Sequence, residues 1–190
     1  VEEGLSPEEA RRCCWYVDSK GLIVKSREDL TGHKVLYAHD HPPIADFKEA
    51  VEVLRPHAII GVSGQPKRFT PEILELMAKI NERPIVFSLS NPTSKSECNA
   101  EEAYTWTEGR AIFASGSPFA PVQTHNRTLY PSQGNNVYIF PGVGMGVMAS
   151  GSTRVTDEMF MMAARVVAGE VSEADLSYGR VYPPLPRIRE

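Results

Sequence analysis

The sequence predicts an α/β protein with a doubly wound, mostly parallel, Rossmann-like sheet and helices at its C-terminal end. Short apolar runs rich in β-branched and aromatic residues, clearest at residues 85–89, alternate with segments whose apolar residues recur at helical spacing. Most of these runs stop in small or polar residues that favour turns. Strands joined in this way by helices indicate a parallel sheet with helices on its faces.

The elements before residue 57 have weaker signals. Ser6 and Glu9 form a capping-box pattern with a proline at the first helical position, which predicts a short helix through Arg12. The other predictions here are strands at residues 13–17 and 22–24, a loop at residues 27–43 and a helix at residues 44–54.

From residue 57 onward the alternation is more regular. We predict strands at residues 58–62, 85–89, 111–114 and 137–140, and helices at residues 71–80, 99–107, 142–150, 157–168 and 173–177. The spaced glycines at 142, 144 and 146 suggest a phosphate loop. However, Pro141 precedes them, and no strand that ends in an acidic residue follows at the expected distance. Close packing of a helix therefore explains these glycines better. We expect the tail after residue 121 to pack back against the sheet.

Size and composition limit the function classes. A chain of 190 residues predicts a single domain over residues 1–190. Its net charge of −4 does not indicate a basic surface that would bind nucleic acid or an acidic membrane. No apolar run reaches the roughly 20 residues that a membrane span needs. The three cysteines have no spacing that suits a zinc site or a disulfide framework. The histidines around Asp40 lack further ligands nearby, so a solvated loop is preferred to a metal site.

Both ends suggest a fragment. The first residue is Val rather than Met, and the first strand signal arrives without a helix of its own to pair with. The proline-rich C-terminus, residues 183–190, is typical of a linker. We therefore expect a fragment of a longer protein.

Four predicted strand ends carry small or polar residues, where ligands bind in parallel sheets. These residues are Asp18, Ser63 with Gly64, Asn91, and Ser115 with Gly116. Asp18 suits a ribose hydroxyl, and Ser19 and Lys20 suit a ribose 2′-phosphate, but composition alone favours a solvated hairpin turn over residues 18–21. Asn91, held before Pro92, has the alternative role of capping a turn. Asn135 and Asn136 provide two further amides, which complement Asn91 around a small dicarboxylate.

These stretches resemble the malic enzymes along essentially the whole chain. The likeness is carried by residues 15–24, 60–64, 69–72, 81–93, 114–119, 133–142 and 179–184. The resemblance implies oxidative decarboxylation of L-malate to pyruvate and carbon dioxide, with a nicotinamide cofactor and Mg²⁺ or Mn²⁺. It also implies a homo-oligomeric parent, by likeness to the family's tetramers, in the cytoplasm or else in a mitochondrion or plastid.

The resemblance assigns residues one by one. The asparagine that matches Asn91 contacts malate and the nicotinamide side, and those that match Asn135 and Asn136 belong to the same malate pocket. The cofactor cleft is lined by the residues that match Gly61, Val62, Ser63, Gly64, Leu89 and Ser90. Ser19 and Lys20 match NADP-preferring members and Lys34 falls near their 2′-phosphate-binding lysine, whereas Asp18 would repel that phosphate. NADP is therefore the expected cofactor, with NAD as the alternative.

The departures from the family matter as well. The family's catalytic tyrosine and lysine, its three acidic metal ligands and its main glycine-rich loop have no counterpart here, so no catalytic or metal-binding residue is assigned in this chain. The resemblance implies the downstream part of a dinucleotide-binding domain, with a sheet that lacks its first βα unit and without the family's extreme C-terminus. We expect the chain by itself to be inactive. Two alternatives stay open, a nucleotide-sensing module without catalysis and a 2-hydroxy-acid dehydrogenase that does not decarboxylate.

Overall fold

A computed structural model describes residues 4–124, 126–185 and 187. The chain forms two compact units, Val1–Pro56 and His57–Glu190. The prediction of one domain over residues 1–190 stays a prediction. Within the described ranges, every helix is too short or too polar to pass through a lipid bilayer.

The first unit is built from short elements around a small apolar core. Its helices are α1 (Pro7–Arg12), α2 (His33–Leu36) and α3 (Phe47–Leu54), and its strands are β1 (Val17–Asp18) and β2 (Gly21–Leu22). The capping box predicted for α1 is present, with Ser6 and Glu9 as its two members. The core consists of Leu22, Val24, Ile44 and Ala50, with Trp15, Val17 and Leu54 packed against it.

Two predictions for this unit were wrong in detail. The strand predicted at residues 13–17 is confined to Val17–Asp18, which pairs with β2 as an antiparallel hairpin. The predicted loop at residues 27–43 contains α2. The hairpin turns at Gly21, which has φ +105° and lies against the backbone at Ile44 and Ala45, where a Cβ would be 2.7 Å from the Cα of Ala45. Only glycine accepts this conformation and this contact readily.

The second unit contains the predicted parallel sheet. Its strands are β3 (Ala58–Gly61), β4 (Ile85–Ser88), β5 (Ile112–Ser115) and β8 (Ser132–Gln133), in the order β3-β4-β5-β8, and all neighbours are parallel. The helices α4 (Pro71–Ile80) and α5 (Ala100–Trp106) connect the first three strands. Strands β6 (Val122–Gln123) and β7 (Thr128–Leu129) form a small antiparallel pair. The α/β class with a parallel sheet is therefore confirmed.

One face of the sheet is buried beneath the connecting helices. Ile59, Val86 and Phe113 stand in register across the sheet and are at most 4% exposed. Helix α5 lies on this row, because the ring of Tyr104 packs edge-on against Phe113 at 5.7 Å. The next register row carries Ile60, which is 59% exposed, so the opposite face is open at β3.

The C-terminal helices are α6 (Phe140–Ser150), α7 (Asp157–Gly169) and α8 (Glu173–Ser177). Their positions match the predicted helices closely, but neither α6 nor α7 contains a buried residue. The expectation that the tail packs back holds for its last part: the amide of Tyr130 donates to the carbonyl of Tyr178, and the amide of Val181 donates to Ser132 Oγ. The predicted strand at residues 137–140 was wrong. It is a short 3₁₀ helix, Asn136–Tyr138, followed by the first turn of α6.

Candidate functional site

The carboxyl ends of the four parallel strands lie in one register row. Gly61 pairs with Ser88, Ser88 with Ser115, and Ser115 with Gln133. The loops that follow therefore share one edge of the sheet, as the sequence predicted for Ser63, Asn91 and Ser115. They contain residues 62–64, 89–91, 116–117 and 134–136.

The second and third loops meet at Asn91. Its Oδ1 accepts a hydrogen bond of 2.5 Å from Ser117 Oγ. A Cβ at Gly116 would overlap the Leu89 carbonyl and lie 2.8 Å from Asn91 Nδ2, so a larger residue at 116 would force these loops apart. Within residues 4–124, 126–185 and 187, Asn91 Nδ2 has no hydrogen-bond partner. The amide is thus held through its oxygen, and its NH₂ group can donate to a carboxylate or a carboxamide.

The fourth loop carries the two predicted amides of residues 135 and 136. Asn135 Oδ1 accepts from the amide of Val137 at 3.0 Å, which starts the 3₁₀ helix. Asn136 is exposed and its side chain has no partner in the described ranges. Gln133 Nε2 donates to the Gly116 carbonyl at 3.1 Å and links this loop to the third. Asn135 therefore has a structural role in the fold, and Asn136 has a free amide.

A buried carboxylate that sequence reasoning missed lies beneath the first two loops. Glu97 is 1% exposed, and its oxygens accept hydrogen bonds from serines 63, 88 and 90. Burial raises the pKa of Glu97, but the hydrogen bonds from Ser90 and Ser63 outweigh that effect and hold its pKa below the usual range. Glu97 is therefore a charged carboxylate in the fold.

This carboxylate binds the hydroxyl groups of two predicted cofactor residues, Ser63 and Ser90. The hydroxyl of Ser63 donates to Glu97, and the hydroxyl of Ser90 both donates to Glu97 and accepts from the Gly64 amide at 2.8 Å. A Cβ at Gly61 would overlap the Glu97 side chain, with Cγ only 2.6 Å away. Val62, also a predicted cofactor residue, is 74% exposed. The only sequence signal for Glu97 was a group of buried-strand serines that need a hydrogen-bond partner.

In the first unit, Asp18 belongs to the hairpin rather than to the parallel sheet. It is the centre of a charged cluster formed with Lys20, Arg27, Asp29 and Lys34. Arg27 binds both oxygens of Asp18 at 2.9 and 3.1 Å, and Lys34 Nζ is 2.6 Å from Oδ2. The bond from Arg27, followed by those from Lys34 and the Lys20 amide, holds the pKa of Asp18 well below its usual range although burial opposes this. Three cations and two carboxylates leave the cluster with a net charge of +1.

No metal site is formed by the part of the chain that the structure describes. No three His, Cys, Asp or Glu side chains lie close enough there to hold an ion. Among the histidines considered in the sequence, His39 stacks on Trp15 with ring centroids 3.8 Å apart, and His41 packs edge-on against the same ring.

The parallel sheet with its polar carboxyl edge and its crossover helices defines a nucleotide-binding α/β domain of the Rossmann type. The chain belongs to the malic enzyme, NAD binding domain family, whose model matches residues 1–190.

Individual relatives support the same family. The chain is 54% identical over 184 residues to the NADP-dependent malic enzyme of Vitis vinifera, which covers 96% of this chain and 31% of the relative. It is 53% identical over 190 residues to the NADP-dependent malic enzyme of Rattus norvegicus, covering 100% and 33%. A chloroplastic NADP-dependent malic enzyme of Arabidopsis thaliana is 54% identical over 184 residues, covering 96% and 28%. The chain thus spans about a third or less of the length of these curated relatives.

Proposed function

We propose that this chain is the dinucleotide-binding part of a malic enzyme, which converts L-malate to pyruvate and carbon dioxide and reduces NADP. The observation that carries the proposal is the carboxyl edge of the sheet, where Asn91 presents a donor group beside polar loops. The family membership and the names of the relatives support it.

The chain's own residues bind and orient in this proposal. The Asn91 NH₂ group, oriented by Ser117, donates to a carboxylate of malate or to the nicotinamide carboxamide. Asn136 adds a second free amide to the substrate pocket, and Asn135 shapes its loop. The backbone of residues 61–64 and 89–90 lines the cofactor cleft. The cofactor, when bound, supplies the acceptor for the hydride of malate.

The charged hairpin supports NADP rather than NAD. The carboxylate of Asp18 would repel a 2′-phosphate if it were unpaired, but Arg27 and Lys34 both bind it. Lys20 is 66% exposed in its side chain, and the hydroxyl of Ser19 is exposed. A cluster with net charge +1 suits a phosphate dianion, which an arginine or lysine recognises by charge-assisted hydrogen bonds. NAD stays the alternative cofactor.

The resemblance implies Mg²⁺ or Mn²⁺, and the described residues do not fit such an ion, because they offer no set of three ligands. We derive no step through a metal in this chain. A homotetrameric parent in the cytoplasm, with a mitochondrion or plastid as the alternative compartment, belongs to the same proposal. Sedimentation and cell fractionation of the full-length protein test these two points.

The decisive experiment uses the full-length protein that carries this chain. NADP and NAD reduction are followed with L-malate and Mn²⁺, with and without a chelator, and pyruvate is measured. Chelator-sensitive reduction that favours NADP and yields pyruvate is expected. Oxidation of malate without carbon dioxide release would indicate a simple dehydrogenase, and nucleotide binding without turnover would indicate a sensing module.

A further inference from the structure

The most densely bonded polar group at the carboxyl edge of the sheet is a side chain that no sequence motif assigns. Glu97 lies after the 3₁₀ helix Thr93–Lys95 and two residues before Asn99, the N-cap of α5. It is 1% exposed, so it does not present its carboxylate to a solvent-borne ligand. It instead contacts the loops of residues 62–64 and 89–91.

Each oxygen of Glu97 receives a backbone amide from a different loop. Oε1 accepts from the amide of Ser63 at 3.1 Å, in the loop after β3. Oε2 accepts from the amide of Ser90 at 3.4 Å, in the loop after β4 and directly before Asn91. The carboxylate is therefore a bridge between the two loops.

Hydroxyl groups reinforce the bridge. Ser63 Oγ and Ser90 Oγ both donate to Oε1, at 3.1 and 2.5 Å, and Ser88 Oγ donates to Oε2 at 3.2 Å. The Gly64 amide donates to the Ser90 hydroxyl at 2.8 Å, which extends the bridge to the next residue of the first loop. Hydrogen bonds to a charged acceptor are stronger than those between neutral groups, and the bond from Ser90 Oγ is the shortest of the five.

The side chain reaches this position across Gly61. A Cβ at residue 61 would overlap Glu97 Cδ and lie 2.6 Å from Cγ, so the absence of a side chain at 61 is what lets the carboxylate pass. The Glu97 end cannot move aside at low cost, because five donors hold it. The need for glycine at position 61 is thus explained by Glu97.

We propose that Glu97 is a positioning residue, which holds the loops of residues 62–64 and 89–91 in the arrangement that binds the cofactor and substrate. This inference rests on the proposed function of those loops. It adds a residue that touches neither ligand and acts through Ser63, Gly64, Ser90 and Asn91.

The bridge needs a carboxylate rather than an amide. In Glu97→Gln, the oxygen can accept from one of the two backbone amides, but the NH₂ group then faces the N–H of the other, whichever way the side chain turns. In either orientation of the side-chain amide, one of the two loops loses its backbone hydrogen bond to residue 97. Glu97→Asp keeps two accepting oxygens on a shorter stem and should retain more of the bridge.

The test is steady-state kinetics of the full-length enzyme with L-malate, NADP and Mn²⁺, far below the unfolding temperature. Wild-type turnover must be present first, since its absence would reject the proposed function and not this inference. Glu97→Gln is expected to lower kcat/KM by roughly tenfold to a hundredfold, with raised KM for both substrates, because both loops shift. Glu97→Asp is expected to fall between Glu97→Gln and wild type.

Glu102→Gln is the matched control. Glu102 is an acid five residues on, which also accepts a backbone amide, from Asn99, but at the start of α5 and not at the edge loops. It is expected to keep kcat/KM within about twofold of wild type, since glutamine can still accept the Asn99 amide and Glu102 accepts no hydrogen bond from residues 62–64 or 89–91. A folded Glu97→Gln enzyme with kinetics within that same range would overturn the proposal, whatever its melting temperature.

Ser90→Ala covers the case in which Glu97→Gln does not fold. It removes one hydroxyl and no charge, and that hydroxyl is directed at Gly64 and Glu97. We expect a KM for NADP raised about fivefold, the effect of losing roughly one hydrogen bond. An unchanged KM for NADP would overturn the proposal.

Discussion

Tyr104 illustrates how a single polar atom affects the stability of the core. The side chain is 1% exposed, and among the described residues its hydroxyl has no hydrogen-bond partner. We predict that Tyr104→Phe leaves the free energy of unfolding unchanged or raises it by up to about 1 kcal/mol, because an unsatisfied buried hydroxyl is removed. Urea unfolding measures the change.

Tyr138→Phe is the matched comparison. The hydroxyl of Tyr138 donates to the carbonyl of Pro183 at 2.8 Å, so its removal is expected to cost about 1 kcal/mol. Equal losses in the two variants would show that the Tyr104 hydroxyl has a partner after all.

Lys34 carries the residue-level prediction for cofactor choice. Lys34→Gln removes one of the two cations that bind Asp18 and lowers the charge of the hairpin cluster. In the full-length enzyme, the KM for NADP should rise about tenfold, equivalent to about 1.4 kcal/mol, while the KM for NAD stays unchanged.

Lys25→Gln is its control, because Lys25 is exposed in the same unit and its side chain has no partner among the described residues. Similar losses with NADP and NAD in Lys34→Gln would contradict a role in 2′-phosphate recognition.

Individual side chains were only partly predictable from the sequence. The position of Asn91 followed from its place after a buried strand, and the structure adds Ser117 as the group that orients it. Glu97 could not be predicted, because Ser63 is 34 residues away along the chain and is brought beside Ser88 and Ser90 only by the pairing of β3 with β4. The pairing of Asp18 with Arg27 and Lys34 depended in the same way on tertiary contacts.

At the scale of elements, the close contact between the ends of β4 and β5 depends on Gly116. Gly116→Ala is predicted to destabilise the protein by about 1–3 kcal/mol, because the new methyl group would overlap the Leu89 carbonyl. Gly144→Ala serves as the control: it lies inside α6 with open space at its Cβ, so it should stabilise by about 0.5–1 kcal/mol. Thermal unfolding of both variants checks the opposite signs.

The start of α8 should be sensitive to acid. Asp175 is 7% exposed, and the hydrogen bonds from Ser172, together with Arg187, lower its pKa from 3.8 to about 2 although burial opposes them. Since the folded pKa lies below the unfolded one, the stabilisation is complete above the unfolded pKa and is lost as pH falls through the folded pKa.

Asp175→Asn should therefore lower the free energy of unfolding by about 1–2 kcal/mol at pH 7, where a cap and an ion pair are lost. The difference from wild type should shrink as the pH falls from about 4 to about 2. Urea unfolding at several pH values measures it. Asp157→Asn, at the exposed start of α7, should change stability by less than about 0.5 kcal/mol at any pH.

Element types were predictable where periodicity and capping agreed. The helices α1, α4, α5, α7 and α8 begin within a residue of the predicted positions, because Ser, Thr and Asn caps mark their starts. Residues 137–140 read as a strand because four apolar residues are consecutive. These residues are helical instead, because Asn135 caps the 3₁₀ helix and Pro141 favours the first turn of α6.

For the whole molecule, β3 is one of the two edge strands of the parallel sheet in the described part of the chain. Ile60 is 59% exposed on that strand. Open edges with apolar side chains favour pairing with another chain, and lysine on an edge opposes it. We predict that Ile60→Lys lowers concentration-dependent self-association of this chain, measured by light scattering.

Val53→Lys provides the comparison. Val53 is 52% exposed but lies on α3, so it adds the same charge without altering a strand edge. Equal effects of the two substitutions would mean that net charge, and not the edge, controls association.

The first three strands of the parallel sheet were predictable because local signals agreed with one another from β3 to β5, whereas the fourth strand, β8, was not predicted. The hairpin at Asp18 was harder to assign, since a two-residue strand before a turn looks the same in a sequence whether its partner is antiparallel or parallel. The structure shows that the partner of β1 is β2 and that the two strands are antiparallel.

Methionine side chains differ widely in exposure, so their oxidation can report which surfaces are accessible. Met145, Met148 and Met162 on α6 and α7 are 68%, 77% and 62% exposed, whereas Met77 in α4 is fully buried. Peroxide converts accessible thioethers to sulfoxides and leaves packed ones largely untouched. Mass spectrometry of the complete enzyme, with Met77 as the internal reference, would therefore reveal directly whether another surface covers these two helices.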